Sequence, residues 1–270
     1  MFIFEVTTPG TSIIYNDECK RHEIERLLDD LKDCFFEANM ALNLFTEAQQ
    51  QQQQSFNNDN WEKNSARRSE LFEEVSSDLG NTRDFFTFDH RSFYDDILHE
   101  VDVRFNRERW ATQIPESLER KKVFIFAKAF LQSLDGFEKF LKVISQQEHT
   151  PEKLKDCHAE FGAAFPHLRG VRNTVQHMED RSRGLSDKVK NSVKQRIDFQ
   201  KPTKIVDAPE GVEVLILNTI MGTNFGCTKA DGHYGEVDVS PESMQTLQKI
   251  LHDVLNAFEW EGMKRHEPRA

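Results

Sequence analysis

The chain has no paired cysteines. Cys19, Cys34, Cys157 and Cys227 are scattered, with neither the close spacing of a zinc knuckle nor the density of a disulfide framework. That pattern predicts reduced thiols and a cytoplasmic location. No apolar run is long enough for a membrane span, and the apolar start from Met1 to Val6 is too short for a signal peptide and has no basic leader. No membrane partner is expected. The glycines at 222, 226, 232 and 235 are followed by no Gly-Lys-Ser or Gly-Lys-Thr, so turn geometry explains them better than a phosphate cradle does. No dinucleotide fingerprint follows a strand, no serine occupies a nucleophile elbow, and the ten histidines include no pair at a metal-binding helical spacing. Neither a cofactor nor a metal is expected. The carboxylates, as at Asp29-Asp30 and Glu73-Glu74, read as exposed helix faces, and no internal repeat is visible.

With 270 residues, 37% hydrophobic and 30% charged, the composition is that of a globular chain able to bury a core. The formal net charge of −11 opposes approach to a polyanion, but the charge is unevenly spread. Between Arg181 and Lys204 stand Arg181, Arg183, Lys188, Lys190, Lys194, Arg196, Lys201 and Lys204 against Asp187 and Asp198. That is +6, leaving −17 for the remainder. A basic stretch of this kind can hold an RNA backbone, and it can equally be a solvated face.

Apolar periodicity predicts a mainly α-helical chain. A short apolar start reads as a strand, and Asn16-Asp17 can cap a long helix that begins near Glu18 and runs into six glutamines, Gln49 to Gln54. Helices follow over Trp61 to Leu79, from about Ser92 to Trp110, and from Glu116 to Ser145, the last with a broad apolar surface. The 22 phenylalanines suit a thick helical core. Thr150-Pro151 opens a further helix, and Ser186 to about Gln200 reads as an additional basic one. After Pro209 the pattern changes to strands over 213–220, 225–229 and 234–239, a small antiparallel meander, before Ser240-Pro241 starts a closing helix. The expected organisation is an N-terminal helical region over 1–60, ending in the polyglutamine stretch, and a helical domain over 61–270 with the meander inserted at about 212–239.

The most informative stretch is Arg172-Asn173-Thr174-Val175-Gln176-His177, inside a segment that reads as one helix. It sets a permanent cation near a side chain that titrates close to neutral pH, a pair suited to phosphodiester chemistry. Leu168, Val171, Val175 and Met178 recur at three-and-four spacing and predict the buried face. Asn173, His177, Asp180 and Arg181 then gather on the opposite side, with Arg169 close by. Arg172 stands roughly 140° around the helix from His177, so it needs its long stem, a helix distortion or a second copy to meet the imidazole.

Arg172-Asn173, three intervening residues and His177 resemble the signature of the HEPN superfamily, the all-helical "higher eukaryotes and prokaryotes nucleotide-binding" domains. The resemblance covers about Lys121 to Gly184. The text from Leu168 to Arg181 also looks like a subgroup of bacterial HEPN-like proteins of uncertain activity. Many members of the superfamily are metal-independent endoribonucleases that act as dimers with a composite cleft. The resemblance thus implies a HEPN-like helical bundle and a homodimer that cleaves RNA. His177 would move the proton as the ribose 2′-hydroxyl attacks, Arg172 would stabilise the phosphoryl charge, and Asn173 would orient either the imidazole or the phosphate. Arg169, Arg181, Arg183, Lys188 and Lys190 would hold the substrate. A toxin or phage-defence role, with an antitoxin or regulatory partner, follows from the same resemblance. The alternative is a non-catalytic HEPN-like dimeric scaffold that binds a nucleotide or a protein.

Overall fold

The computed structural model describes residues 1–57, 61–80, 90–200 and 214–269. Lys201 and Lys204 of the basic stretch, Asn81, Pro209 and the first residue of the expected 213–220 strand lie outside them. The architecture is mainly α, with short antiparallel strands. Two strands, β1 (Val6–Thr8) and β2 (Ser12–Ile13), precede the long α1 (Glu18–Asn57). Its start follows from Asp17, whose carboxylate accepts the otherwise orphaned amides of Cys19 and Lys20. Next come α2 (Trp61–Gly80), α3 (His90–Trp110), α4 (Glu116–Gln146), α5 (Lys153–Ala164), α6 (Leu168–Gln176) and α7 (Met178–Ser182). The hairpin β3 (Leu185–Lys190) and β4 (Val193–Arg196) follows, then the meander β5 (Thr219–Met221), β6 (Asn224–Thr228) and β7 (Tyr234–Asp238). The chain closes with α8 (Pro241–Leu255), β8 (Trp260–Glu261) and β9 (Arg265–Glu267). No helix among the described residues is long and apolar enough to cross a membrane.

The chain divides into two compact units, Met1–Thr46 with Val123–Ala270, and Glu47–Lys122. The division does not fall at residue 60. The N-terminal residues belong with the C-terminal ones because β1 pairs antiparallel with β9, Val6 opposite Glu267, and β2 with β8, Ile13 opposite Trp260. Lys32, almost buried on α1, reinforces that closure with an ion pair to Glu267 at 3.1 Å. In the smaller unit, α2 and α3 pack through Leu71, Val75, Ile97, Val101 and Phe105.

In the larger unit α4 supplies the centre of the core, with Ala127, Phe130, Leu134, Phe137, Leu141 and Ile144 fully buried. Phe137 stacks on Phe161 of α5, ring centroids 5.6 Å apart. At Gly136 a Cβ would stand 2.8 Å from the Cys34 sulfur, so the glycine lets α1 lie close against α4. Ser240 caps α8 by accepting from the Ser243 amide, and Pro241 occupies the first turn, where its missing N–H is harmless.

Two expected elements differ. The basic segment after Gly184 is a β-hairpin where the sequence reading gave a helix. Its β-branched Val189 and Val193 flank Asn191-Ser192, both at positive φ in a two-residue turn, and Val189 pairs with Lys194 and Lys190 with Val193. The motif segment is also not one helix, since it breaks at His177, where φ is −116° and ψ is 42°.

Candidate functional site

The break at His177 rearranges the motif. Leu168, Val171 and Thr174 form the inward face of α6, with Thr174 fully buried and Val175 only half-buried. The cause lies on β6, where Thr228 accepts a hydrogen bond from the Thr174 hydroxyl through its carbonyl at 3.1 Å. Buried hydroxyls are found where such partners exist, so this contact sets the rotation of α6 about its axis. Gly170 assists, because the aliphatic stem of Lys229 lies where a Cβ would stand, 2.6 Å away. The helix ends at His177 and the chain restarts as α7, with the Asp180 and Arg181 amides donating to the His177 carbonyl.

Arg172 uses its long stem to reach α4 instead of His177. Its guanidinium donates to Asp135 Oδ2 at 2.5 Å, Asn173 Oδ1 at 3.0 Å and Gln176 Oε1 at 2.7 Å, and its Nε is buried without a partner. Asp135 is buried, and Lys139 contacts the same carboxylate oxygen at 2.6 Å. Burial alone would raise the Asp135 pKa, but the hydrogen bonds from Arg172 and Lys139 outweigh it and hold the carboxyl below its ordinary value. One carboxylate therefore faces two cations, and the cluster keeps an excess positive charge. Asn173 serves Arg172, not His177.

His177 sits at the corner between α6 and α7 with its side chain 52% exposed, and its Nδ1 lies 3.7 Å from Glu179 Oε1. No hydrogen bond joins it to Arg172 among the described residues. The two motif residues are turned to different partners within one chain.

The expected substrate-binding residues divide into two groups. Arg181 cannot hold a substrate as expected, for its side chain is fully buried. Its guanidinium donates to the Leu185 carbonyl at 2.6 Å and to Asp187, fastening β3 to α7. Arg183 is exposed but bonded to Asp180, whose other oxygen takes Lys194 of β4. Lys194 is the main cause that holds the Asp180 carboxyl below its ordinary pKa, with Arg183 adding to it against partial desolvation. Arg169, Lys188 and Lys190 are exposed, the two lysines on β3. Sequence reasoning missed Asp135 altogether. It lies 37 positions from Arg172 and carries no local signal beyond being a carboxylate on the otherwise apolar side of a helix.

His177, Glu179 and Asp180 form the grouping among the described residues whose ligand atoms lie within 4.8 Å of one another. Asp180 is already occupied by Arg183 and Lys194. Two cations where a third would have to enter make this a poor cation site.

The fold and the site together define a mainly α chain with an exposed imidazole beside a cationic hairpin. Comparison with protein-family models, with curated proteins and with solved structures finds no match to this chain.

Proposed function

We propose that the protein is a metal-independent endoribonuclease of HEPN type. The observation that carries this reading is the setting of His177, an accessible imidazole on the corner of α7, to which a cationic hairpin is fastened. His177 takes the proton from a ribose 2′-hydroxyl as that oxygen attacks the adjacent phosphorus. The P–O5′ bond breaks, the leaving 5′-oxygen takes a proton from water while the imidazolium returns its proton to solvent, and the products carry a 2′,3′-cyclic phosphate and a 5′-hydroxyl. Arg172 stabilises the charge on the phosphoryl oxygens. Lys139 supports that role, since it can keep the Asp135 carboxylate paired when an anion draws Arg172 away. Arg169, Lys188 and Lys190 hold the flanking backbone. The reading includes a homodimer acting in the cytoplasm, and a toxin or phage-defence setting with an antitoxin or regulatory partner.

A second reading, a non-catalytic HEPN-like dimeric scaffold for a nucleotide or protein, is favoured by one contact. Arg172 is mostly buried and engaged by Asp135, as a structural arginine would be. Cleavage of mixed RNA in chelator separates the two. The ribonuclease reading expects His177→Ala to lose roughly 10²–10⁴-fold in rate, and folded Arg172→Ala to lose activity as well. Intact RNA with the wild-type chain across about pH 6 to 8, or equal cutting by both variants, leaves the scaffold.

A further inference from the structure

The β3–β4 hairpin is held in an unusual way. From Asp187 to Lys194 every side chain is exposed, Val189 and Val193 to more than 60%, so burial of apolar surface, present at the base through Leu185 and Ile197, contributes almost nothing to the position of this outer part. An isolated two-stranded hairpin is marginal in water. This one is fixed by charge from α7, through fully buried Arg181 on Asp187 and the Leu185 carbonyl, and through Asp180 on Lys194. Its turn places the non-glycine residues Asn191 and Ser192 at positive φ, which costs free energy. A ribbon ordered at such cost, with none of the described residues covering its outer part, presents a surface.

The chemistry of that surface is specific. Lys194 is taken by Asp180, whereas the ammonium groups of Lys188 and Lys190 have no hydrogen-bond or ion-pair partner among the described residues. They lie two positions apart on β3, with Val193 opposite Lys190 and Lys188 at the point where β3 shifts register between Leu185 and Val189. Two free ammonium groups in a row beside an exposed aliphatic side chain match a strand of phosphates whose sugars or unstacked bases offer apolar contact. An A-form duplex does not accept a ribbon, because its major groove is deep and narrow. We infer that the hairpin docks the backbone of single-stranded RNA through Lys188 and Lys190. The choice of RNA among polyanions rests on the ribonuclease reading.

The test is fluorescence anisotropy of a labelled single-stranded RNA of mixed sequence with the full chain carrying His177→Ala, which prevents cutting. Adding Lys188→Gln and Lys190→Gln removes two phosphate contacts. Affinity then falls about 25-fold at about 0.1 M salt, and the slope of log K against log salt becomes shallower by about 1.4. Lys142→Gln with Lys155→Gln, the same charge change at exposed sites on α4 and α5, leaves the affinity within about twofold. Undiminished binding by the hairpin variant overturns the inference, as does an equal loss with the control pair. So does a parent chain that binds phosphatidylserine vesicles but no RNA. RNA held through these lysines by a wild-type chain that never cuts it removes the ribonuclease reading and leaves the docking surface. RNA cut by the wild-type chain, with binding indifferent to the lysines, does the reverse.

Discussion

Asp135→Asn is the sharpest perturbation of the motif's anchor. In the native chain one buried carboxylate carries Arg172 at 2.5 Å and Lys139 at 2.6 Å. The amide keeps an acceptor but loses the charge, leaving two cations without a counterion, one of them mostly buried. Breaking one side of a buried pair costs about 3–5 kcal/mol, and the half-exposed Lys139, which water can solvate, brings this toward about 3 kcal/mol. For a unit of this size that corresponds to a fall in Tm of about 6–12 °C by circular dichroism at neutral pH. Replacing both partners, as Asp135→Leu with Arg172→Leu, recovers most of the loss, because no charge is then stranded. The pH dependence has a definite sign. The folded carboxyl lies below its ordinary pKa, so its contribution is present in full above the unfolded value near about 4 and is lost as pH falls through the lower folded value. The gap between wild type and Asp135→Asn therefore stays constant above about pH 5 and closes below about pH 4. A Tm within about 1 °C of wild type, or single losses that simply add in the double variant, would refute the anchor.

Two further outcomes follow from the packing around the motif. Burial pushes the Cys227 thiol up to about 12 and the Cys34 thiol up to about 11, and burial also raises Cys157, whereas Cys19 is exposed. An aromatic disulfide reagent at mildly alkaline pH should thus label Cys19 quickly, half-buried Cys34 more slowly, and buried Cys157 and Cys227 only on unfolding, and native Cys227 reacting as fast as Cys19 would contradict the α6–β6 contact. Ser192→Gly relieves a positive φ and stabilises the hairpin by about 1 kcal/mol. Hydrogen exchange at Lys190 and Val193 should slow with the global Tm unchanged, and faster exchange there would count against the turn geometry.

Most of the helical frame was legible because its signals are local. Phe130, Leu134, Phe137 and Leu141 repeat at helical spacing, Asp17 and Ser240 stand just before helices they cap, and Phe225 and Val237 alternate with half-buried or glycine neighbours in the meander. Thr150 shows the limit of such signals, since its hydroxyl donates back to the Gln147 carbonyl and α5 starts without a side-chain cap. The hairpin was available in principle. Val189-Lys190-Asn191-Ser192-Val193-Lys194 alternates about a turn-forming pair, but the charge run suggested a solvated helix. The break at His177 was not available. It accompanies a contact of Thr174 with Thr228, 54 positions away, that no local pattern contains. The burial of Arg181 and the pairing of Arg172 with Asp135 are likewise long-range outcomes of packing that a helical wheel does not contain.

The central claim is tested most directly by the chemical ends of the products. RNA incubated with the wild-type chain in chelator, then examined by mass spectrometry, should yield fragments ending in a 2′,3′-cyclic phosphate beside fragments with a 5′-hydroxyl, and the DNA of the same sequence should stay whole. Intact RNA, or fragments with 5′-phosphate ends that His177→Ala produces equally well, would contradict the account.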